Sequence, residues 1–208
     1  MDVISQVERL EGVLLALGTA DDKKFEKRAK VILEGLAEPK TFEEAQRQLG
    51  ELLGFVAGNG KGDADPDPWW LSDTKGFVFE DHAKGVATTV FGANKAKQAA
   101  GHPAWLDEYC SEAEGVDVTA VLVTPCTTAG KGAKPALKEL RYWALDDFRA
   151  WAKQAVNTVR GLKASLPQEG DLYWRQETAE KLAEAGLTLD AMLDMLPVAA
   201  DAMTIQEK

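Results

Sequence analysis

Residues 69–84 read WWLSDTKGFVFEDHAK, and this stretch decides the fold. Aromatic and β-branched residues flank a polar segment that contains a glycine, which is the pattern of an antiparallel hairpin. Side chains alternate along a strand, so the second strand carries three polar side chains on one face, namely Glu80, His82 and Lys84. Asp81 shares the opposite face with the phenylalanines. A carboxylate, an imidazole and an amine are therefore expected in line along one face.

The segments that follow extend the hairpin into an α/β fold. Residues 94–109 are predicted to be helical with a break at Pro103, and residues 116–125 form a continuous apolar run typical of a buried strand. Together with the second strand of the hairpin they make a β-α-β crossover. A loop, a short strand and a long amphipathic helix are predicted next, over residues 127–136, 139–144 and 146–165.

Helices are predicted on both sides of this core. The apolar spacing of residues 1–36 indicates two helices, and a third is expected after Thr41, with Glu44 completing a capping box. Two short helices separated by Gly186 are predicted near the carboxyl end. The predicted organisation is an N-terminal helical extension, an α/β core and an acidic C-terminal helical segment, over residues 1–40, 41–165 and 166–208.

Composition excludes several classes of protein. The chain has 208 residues, of which 45% are apolar and 28% charged, with a formal net charge of −10, so disordered and fibrous classes are excluded. No window approaches 18 uninterrupted apolar residues, and the first residues carry acidic rather than basic side chains. The two cysteines form no CxxC motif, so neither a disulfide framework nor a structural zinc site is indicated. We expect a cytoplasmic protein with no membrane association.

A carboxylate also precedes the first strand of the hairpin. The segment Asp65-Pro66-Asp67-Pro68 enters that strand, and hairpin pairing is expected to bring Asp67 beside Glu80, with Asp65 as the alternative. Two carboxylates that converge at a sheet edge form a hard oxygen site suited to Mg²⁺ or Mn²⁺. A nearby lysine or histidine can orient the attacking water or stabilise charge on a phosphate. The pattern therefore indicates phosphodiester hydrolysis.

These segments resemble the PD-(D/E)xK nuclease superfamily, which includes restriction endonucleases and RecB-like nucleases. The resemblance covers about residues 41–165 and is carried by FEEAQRQLGELLGF, PDPWW, GFVFEDHAK and AKQAAGHPAW. It implies a restriction-endonuclease-like central mixed β-sheet flanked by helices. It also implies roles for individual side chains: Asp67 and Glu80 as metal ligands, and Glu44 as the leading-helix carboxylate. Gln98, followed by His102 in the place of a tyrosine, would contact the scissile phosphate or position the site.

One position departs from the family pattern. Lysine is usual two residues after the acidic residue, whereas this chain has His82 there. Either His82 takes that role, or Lys84 reaches back along the same face, or the site has lost activity. The leading helix also leaves an alternative open, because Glu51 lies on the same stripe as Glu44.

Charge argues against nucleic acid at first, because an acidic surface repels phosphates. The acidity is concentrated in residues 166–208, which hold nine acidic and three basic residues. Two segments of the core are locally basic instead. We expect a DNA backbone to be contacted by lysines of these segments, namely Lys95, Lys97, Lys131 and Lys134.

The sequence thus predicts a Mg²⁺- or Mn²⁺-dependent deoxyribonuclease, an endonuclease rather than an exonuclease. Its catalytic residues would be Asp67, Glu80, His82, Lys84, Gln98 and Glu44. By analogy with the family, it would act as a subunit of a nucleic-acid-processing or anti-phage defence complex with a helicase or ATPase partner, and a homo-oligomer is also compatible. The alternative is a catalytically inactive nuclease-like module that binds a partner protein.

Overall fold

A five-stranded mixed sheet lies at the centre of the molecule. The structure is a computed structural model that describes residues 2–18, 21–60 and 66–206. The strands of the sheet are, in spatial order, β1 (Val56–Gly58), β2 (Trp69–Leu71), β3 (Lys75–Asp81), β5 (Asp117–Thr124) and β7 (Leu140–Ala144). Strand β2 is antiparallel to both of its neighbours, β1 and β3, and the strands β3, β5 and β7 are parallel. The predicted α/β class with a mixed central sheet flanked by helices is confirmed.

The predicted hairpin and crossover are both present. Trp69 pairs with Val78 across the hairpin, and β3 pairs with β5 along its whole length. Helix α4 (Ala93–Tyr109) lies between those two strands in the chain. The expected break at Pro103 is wrong, since α4 continues through it. The turns on both sides of the proline are buried through Ala99 and Leu106, and this packing holds the helix together although a proline removes one backbone hydrogen bond.

The remaining helices and strands surround the sheet. The helices are α1 (Asp2–Leu17), α2 (Lys23–Ala37), α3 (Phe42–Leu52), α5 (Lys134–Leu137), α6 (Leu145–Ala164), α7 (Leu172–Glu184), α8 (Leu189–Met195) and α9 (Ala199–Ala202). A second sheet of three parallel strands is formed by β4 (Val90–Phe91), β6 (Thr128–Gly130) and β8 (Thr204–Gln206). In the described part of the chain, no helix is long and apolar enough to cross a bilayer.

Each face of the central sheet has its own hydrophobic core. Phe77 and Phe79 enter a core that includes side chains of α1, α2, α3, α6, α7 and α8. Val78, between them, enters a second core that includes side chains of α4 and α5. Successive side chains of a strand point to opposite faces, so the alternation predicted from the sequence is the alternation observed. Odd-numbered and even-numbered residues of β3 therefore contact different sets of helices.

The predicted terminal extensions are packed parts of the molecule. Leu10 of α1 and Trp174 of α7 belong to the same core as Trp70 and Phe148. The buried carboxylate of Glu11 in α1 accepts hydrogen bonds from the Arg175 guanidinium of α7, at 2.9 and 2.6 Å. These contacts tie the two ends of the chain together against one face of the sheet.

Two local predictions differ from the structure. The predicted loop over residues 127–136 contains β6 and α5, because a three-residue strand that pairs with distant segments leaves no periodic signal. The capping box does not form, because the Thr41 hydroxyl donates to the carbonyl oxygens of Gly35 and Glu38 instead.

Candidate functional site

The candidate site lies where β3 ends. Its last two residues, Glu80 and Asp81, point to opposite faces of the sheet. Glu80 contacts α4, through Lys95 and His102. Asp81 contacts α3, where the side-chain amide nitrogen of Gln46, oriented to donate, lies 3.2 Å from Oδ1 of Asp81. The site therefore receives residues from helices on both sides of the sheet.

Glu80 is a buried carboxylate with two cationic or polar partners. The Lys95 ammonium donates to its Oε1 at 3.1 Å, and Nε2 of His102 lies 3.0 Å from its Oε2. Burial alone would raise the pKa of Glu80, but the contacts with His102 and Lys95 outweigh it and lower the pKa. Glu80 is therefore held in its ionised form, with both oxygens engaged.

Asp67 reaches the same end of β3 from the segment that leads into β2. Its Oδ2 accepts a hydrogen bond of 2.5 Å from the backbone N–H of Asp81. Burial raises the pKa of Asp67 to about 7, and the negative charges of Glu80 and Glu43 add to the rise. Asp67 thus contacts the backbone of the residue that follows Glu80, and the charge of Glu80 is near enough to raise the pKa of Asp67. Asp65, the alternative to Asp67, lies outside the described residues.

Asp81 is a site residue that sequence reasoning did not assign. Burial raises its pKa well above the usual range, and the neighbouring Asp67, Glu43 and Glu80 carboxylates raise it further. It lies on the face that the alternation assigned to the phenylalanines, so the sequence placed it correctly but gave it no role. The available signal was the acidic pair itself, because two adjacent carboxylates in a central strand need partners on both faces.

The leading-helix carboxylate needs correction from Glu44 to Glu43. Glu44 accepts hydrogen bonds from Arg47, at 2.9 and 2.7 Å, and these contacts lower its pKa to about 2. Its alternative, Glu51, is bound by Arg28 and Arg47. A helix turns by about 100° per residue, so Glu43 lies within about 60° of Gln46, whereas Glu44 lies on nearly the opposite side. Because Gln46 faces Asp81, Glu43 is the acidic residue turned to the site.

His82 and Lys84 follow the strand and are not part of it. β3 ends at Asp81, and the chain turns there, with the Gly85 N–H donating to the His82 carbonyl oxygen at 3.0 Å. The Nδ1 atom of His82 lies 3.3 Å from the Thr124 hydroxyl and 3.4 Å from the Cys126 sulfur. Lys84 is exposed in the turn, so the expectation that it continues the strand face one pleat further is wrong.

One open pocket gathers most of these groups. It has a volume of about 240 Å³, and its lining includes Glu43, Asp67, Asp81, His82, Lys84 and Lys95. Three carboxylates, one imidazole and two amines thus face a common space at the carboxyl end of β3. A ligand in this pocket would meet acidic groups beside β2 and α3 and basic groups beside α4.

The other residues singled out by sequence lie along or near α4. Gln98 is half-buried, one helical turn from both Lys95 and His102. Lys97, Lys131 and Lys134 are exposed. Lys95 differs from these three because its ammonium contacts the buried Glu80, so it belongs to the site as well as to the basic segment.

The oxygen donors match a hard divalent cation in kind. Asp67 and Glu80 are carboxylates, and the repulsion that raises the pKa of Asp67 is the kind that a bound cation relieves. Among the described residues, however, no group of three or more histidine, cysteine, aspartate or glutamate side chains is already arranged to hold a metal ion. A cation between Asp67 and Glu80 would share the Glu80 oxygens with Lys95 and His102 or displace one of them.

Comparison with known proteins does not identify the chain. No family model matches it, and no curated protein or solved structure is significantly similar to it. No family is shown. The function has to be inferred from the chemistry at the end of β3.

Proposed function

We propose that this chain is a metal-dependent deoxyribonuclease of the PD-(D/E)xK type. The observation that carries the proposal is the meeting of Asp67, Glu80 and Lys95 at the end of one strand. Asp67 is bound to the backbone next to Glu80, and Glu80 is bound to the ammonium of Lys95. Asp67 and Lys95 also line the open pocket. Two carboxylates and an amine are the groups that hydrolysis of a phosphodiester uses.

The order of elements supports a restriction-endonuclease-like fold. Helix α3 leads into the antiparallel strands β1, β2 and β3, and α4 then connects to the parallel strand β5. Asp67 precedes β2, Glu80 lies near the end of β3, and Gln98 lies on α4, which is the arrangement that the family resemblance implies. This agreement concerns both chain order and sheet position, so it is more specific than the short motifs alone.

The residues of the site have separable roles in this proposal. Asp67 and Glu80 would hold Mg²⁺ or Mn²⁺, which when bound supplies Lewis-acid polarisation of a phosphate oxygen and lowers the pKa of water. Lys95 replaces the missing motif lysine, because its ammonium is already beside Glu80. Gln46 orients Asp81, and His102 keeps Glu80 ionised and fixed against α4.

DNA is the proposed substrate, and a partner protein is part of the proposal. The exposed Lys97, Lys131 and Lys134 lie on or beside α4 and offer positive charge for phosphates near the pocket. The net charge of −10 works against tight binding by the chain alone. A helicase or ATPase subunit that delivers DNA, as in a repair or anti-phage defence complex, would supply the missing affinity.

The proposal is tested by cleavage of supercoiled and linear DNA with Mg²⁺ or Mn²⁺, with and without proteins that co-purify. We expect cleavage by the wild type, loss with EDTA, and a loss of at least about 100-fold in Asp67→Asn and Glu80→Gln. Glu44→Gln is the matched control, because Glu44 is bound to Arg47 away from the pocket. Cleavage that survives both site substitutions would overturn the proposal.

A second candidate, an inactive assembly module with this fold, is favoured by one observation. Both oxygens of Glu80 are already engaged by Lys95 and His102, so the carboxylate is balanced without a cation. Calorimetric titration with Mn²⁺ separates the two candidates. Heat of binding that disappears in Asp67→Asn supports the nuclease, whereas no binding and no cleavage supports the module.

A further inference from the structure

The Thr124 hydroxyl is buried at the end of β5, directly beside the ring of His82. Thr124 is fully buried, and its Oγ1 accepts a hydrogen bond of 3.1 Å from the backbone N–H of Cys126. The other atom within hydrogen-bond distance of Oγ1 among the described residues is Nδ1 of His82, at 3.3 Å. The oxygen therefore has one partner that donates to it and one partner that can accept from it.

The direction of the second hydrogen bond follows from burial. A hydroxyl that no water reaches has to donate its proton to a protein acceptor, because a buried unsatisfied donor costs about 1–3 kcal/mol. Cys126 N–H cannot accept, so the Thr124 proton goes to His82, and Nδ1 must carry a lone pair. The buried thiol of Cys126 agrees with this direction, since it can donate to the Val86 carbonyl oxygen at 3.7 Å and does not need the ring.

An imidazole with a lone pair on Nδ1 carries its proton on Nε2 when it is neutral. The side of the ring with Nδ1 and Cε1 is packed against Gly85, where an added Cβ would lie 2.7 Å from each of those two atoms. The ring also meets Phe91 edge to face, with centroids 5.8 Å apart. The ring therefore has little freedom to flip, and its orientation is set from the Nδ1 side.

We propose that Thr124 is a positioning residue that fixes His82 as an N–H donor through Nε2 toward the pocket. The tautomer follows from the contacts of Thr124 alone. The acceptor of this N–H is a phosphate oxygen of the substrate, and this part of the proposal rests on the proposed nuclease function. With its proton on Nε2, His82 donates a hydrogen bond and stabilises negative charge. It does not act as a general base, which is the other role that an imidazole at this position could have.

The tautomer is tested by long-range ¹H–¹⁵N correlation spectra of the ¹⁵N-labelled full chain at pH 8, where an imidazole of ordinary pKa is neutral. The chain has two histidines, and the signals lost in His82→Gln belong to His82. We expect a protonated Nε2 and an unprotonated Nδ1 in the wild type and in Thr124→Ser, which keeps the hydroxyl. Thr124→Val should shift the population toward the other tautomer.

Cys126→Ala is the matched control, because it removes the second group beside Nδ1 and leaves the hydroxyl. We expect its tautomer to equal that of the wild type. A protonated Nδ1 in the wild type overturns the proposal, and so does a shift in Cys126→Ala without one in Thr124→Val. The wild-type spectrum gives this answer even where Thr124→Val fails to fold.

The donor role is tested by cleavage with two amide variants of His82. Glutamine places an N–H near the position of Nε2, and asparagine places it near that of Nδ1. We expect His82→Gln to keep cleavage within about tenfold of the wild type and His82→Asn to lose about 100-fold. Equal losses would overturn the donor role. A wild type that cuts no DNA overturns the nuclease and the phosphate role together, while the tautomer spectrum still decides the position of the proton.

Discussion

Nε2 of His102 lies 3.0 Å from Oε2 of Glu80, and both side chains are only 4% exposed. This contact joins the middle of α4 to the end of β3 in the interior of the molecule. The same carboxylate is a proposed metal ligand. The candidate site is therefore also part of the packing between helix and sheet, and substitutions in it have effects on stability that can be measured without a substrate.

Replacement of Glu80 tests this structural role. Because the pKa of Glu80 is lowered, its contribution to stability is present above the ordinary pKa of 4.5 and is lost as the pH falls through the folded-state value. We expect Glu80→Gln to lower the free energy of unfolding by about 1–3 kcal/mol at pH 7, measured by urea denaturation. Glu44→Gln, at an exposed ion pair, should change it by less than about 1 kcal/mol. Equal stability of both variants would contradict the role of Glu80.

Asp67 has the opposite dependence on pH. Its pKa is raised to about 7, so between about pH 4 and 7 the folded state holds a proton that the unfolded state releases. Its contribution to stability therefore falls as the pH rises through this window. We expect Asp67→Asn to melt above the wild type at pH 8 in EDTA, with a difference that shrinks toward pH 4. Asp146→Asn, at an exposed position, is the control. A constant difference at all pH values would contradict the raised pKa.

Lys95 and Lys97 distinguish a role in the site from a role in DNA binding. Lys95 contacts Glu80, whereas Lys97 is exposed on the same helix. We expect Lys95→Met to reduce cleavage by about 100-fold, and Lys97→Met to weaken DNA binding slightly and lower its salt dependence. Cleavage rates and binding isotherms at two salt concentrations provide the measurement. If the two variants had the same cleavage rates and the same DNA affinities, both lysines would act only in DNA binding.

The close packing of α3 on β2 gives a prediction independent of function. A Cβ at Gly50 would overlap the indole ring of Trp70, whose Nε1 donates to the Gln46 carbonyl oxygen at 3.0 Å. We expect Gly50→Ala to lower the free energy of unfolding by about 1–3 kcal/mol. Gly161→Ala in α6 meets no atom within 4 Å and should raise it by up to about 1 kcal/mol. Thermal denaturation of the two variants would show opposite shifts.

Four of the five strands of the central sheet, all except β1, could be predicted because they carry their own signal. The alternation of Phe77, Val78 and Phe79 and the apolar run of β5 are local patterns that survive in the structure. The second sheet could not, since β4, β6 and β8 have two or three residues each and pair only across long separations. Short strands are specified by their partners and not by their own sequence.

The candidate site was only partly predictable, because some of its residues are positioned by local sequence patterns and others by long-range packing. Asp67 and Glu80 follow from hairpin pairing, which a sequence with a clear turn fixes. Glu43 was missed, because one residue on a helix is a rotation of about 100° and the sequence alone does not fix how α3 is rotated about its axis. The contact of Lys95 with Glu80 likewise depends on how α4 is rotated about its axis, which no spacing in the sequence determines.

The division of Glu80 and Asp81 between two faces of the sheet makes the site sensitive to the length of β3. Deletion of one residue between the hairpin turn and Glu80 would move Asp81, one methylene shorter, into the place of Glu80, where it would face Lys95 and His102. Insertion of one residue would move Glu80 into the place of Asp81, where it would face Gln46. For protein engineering, the count of residues in β3 therefore has to stay fixed.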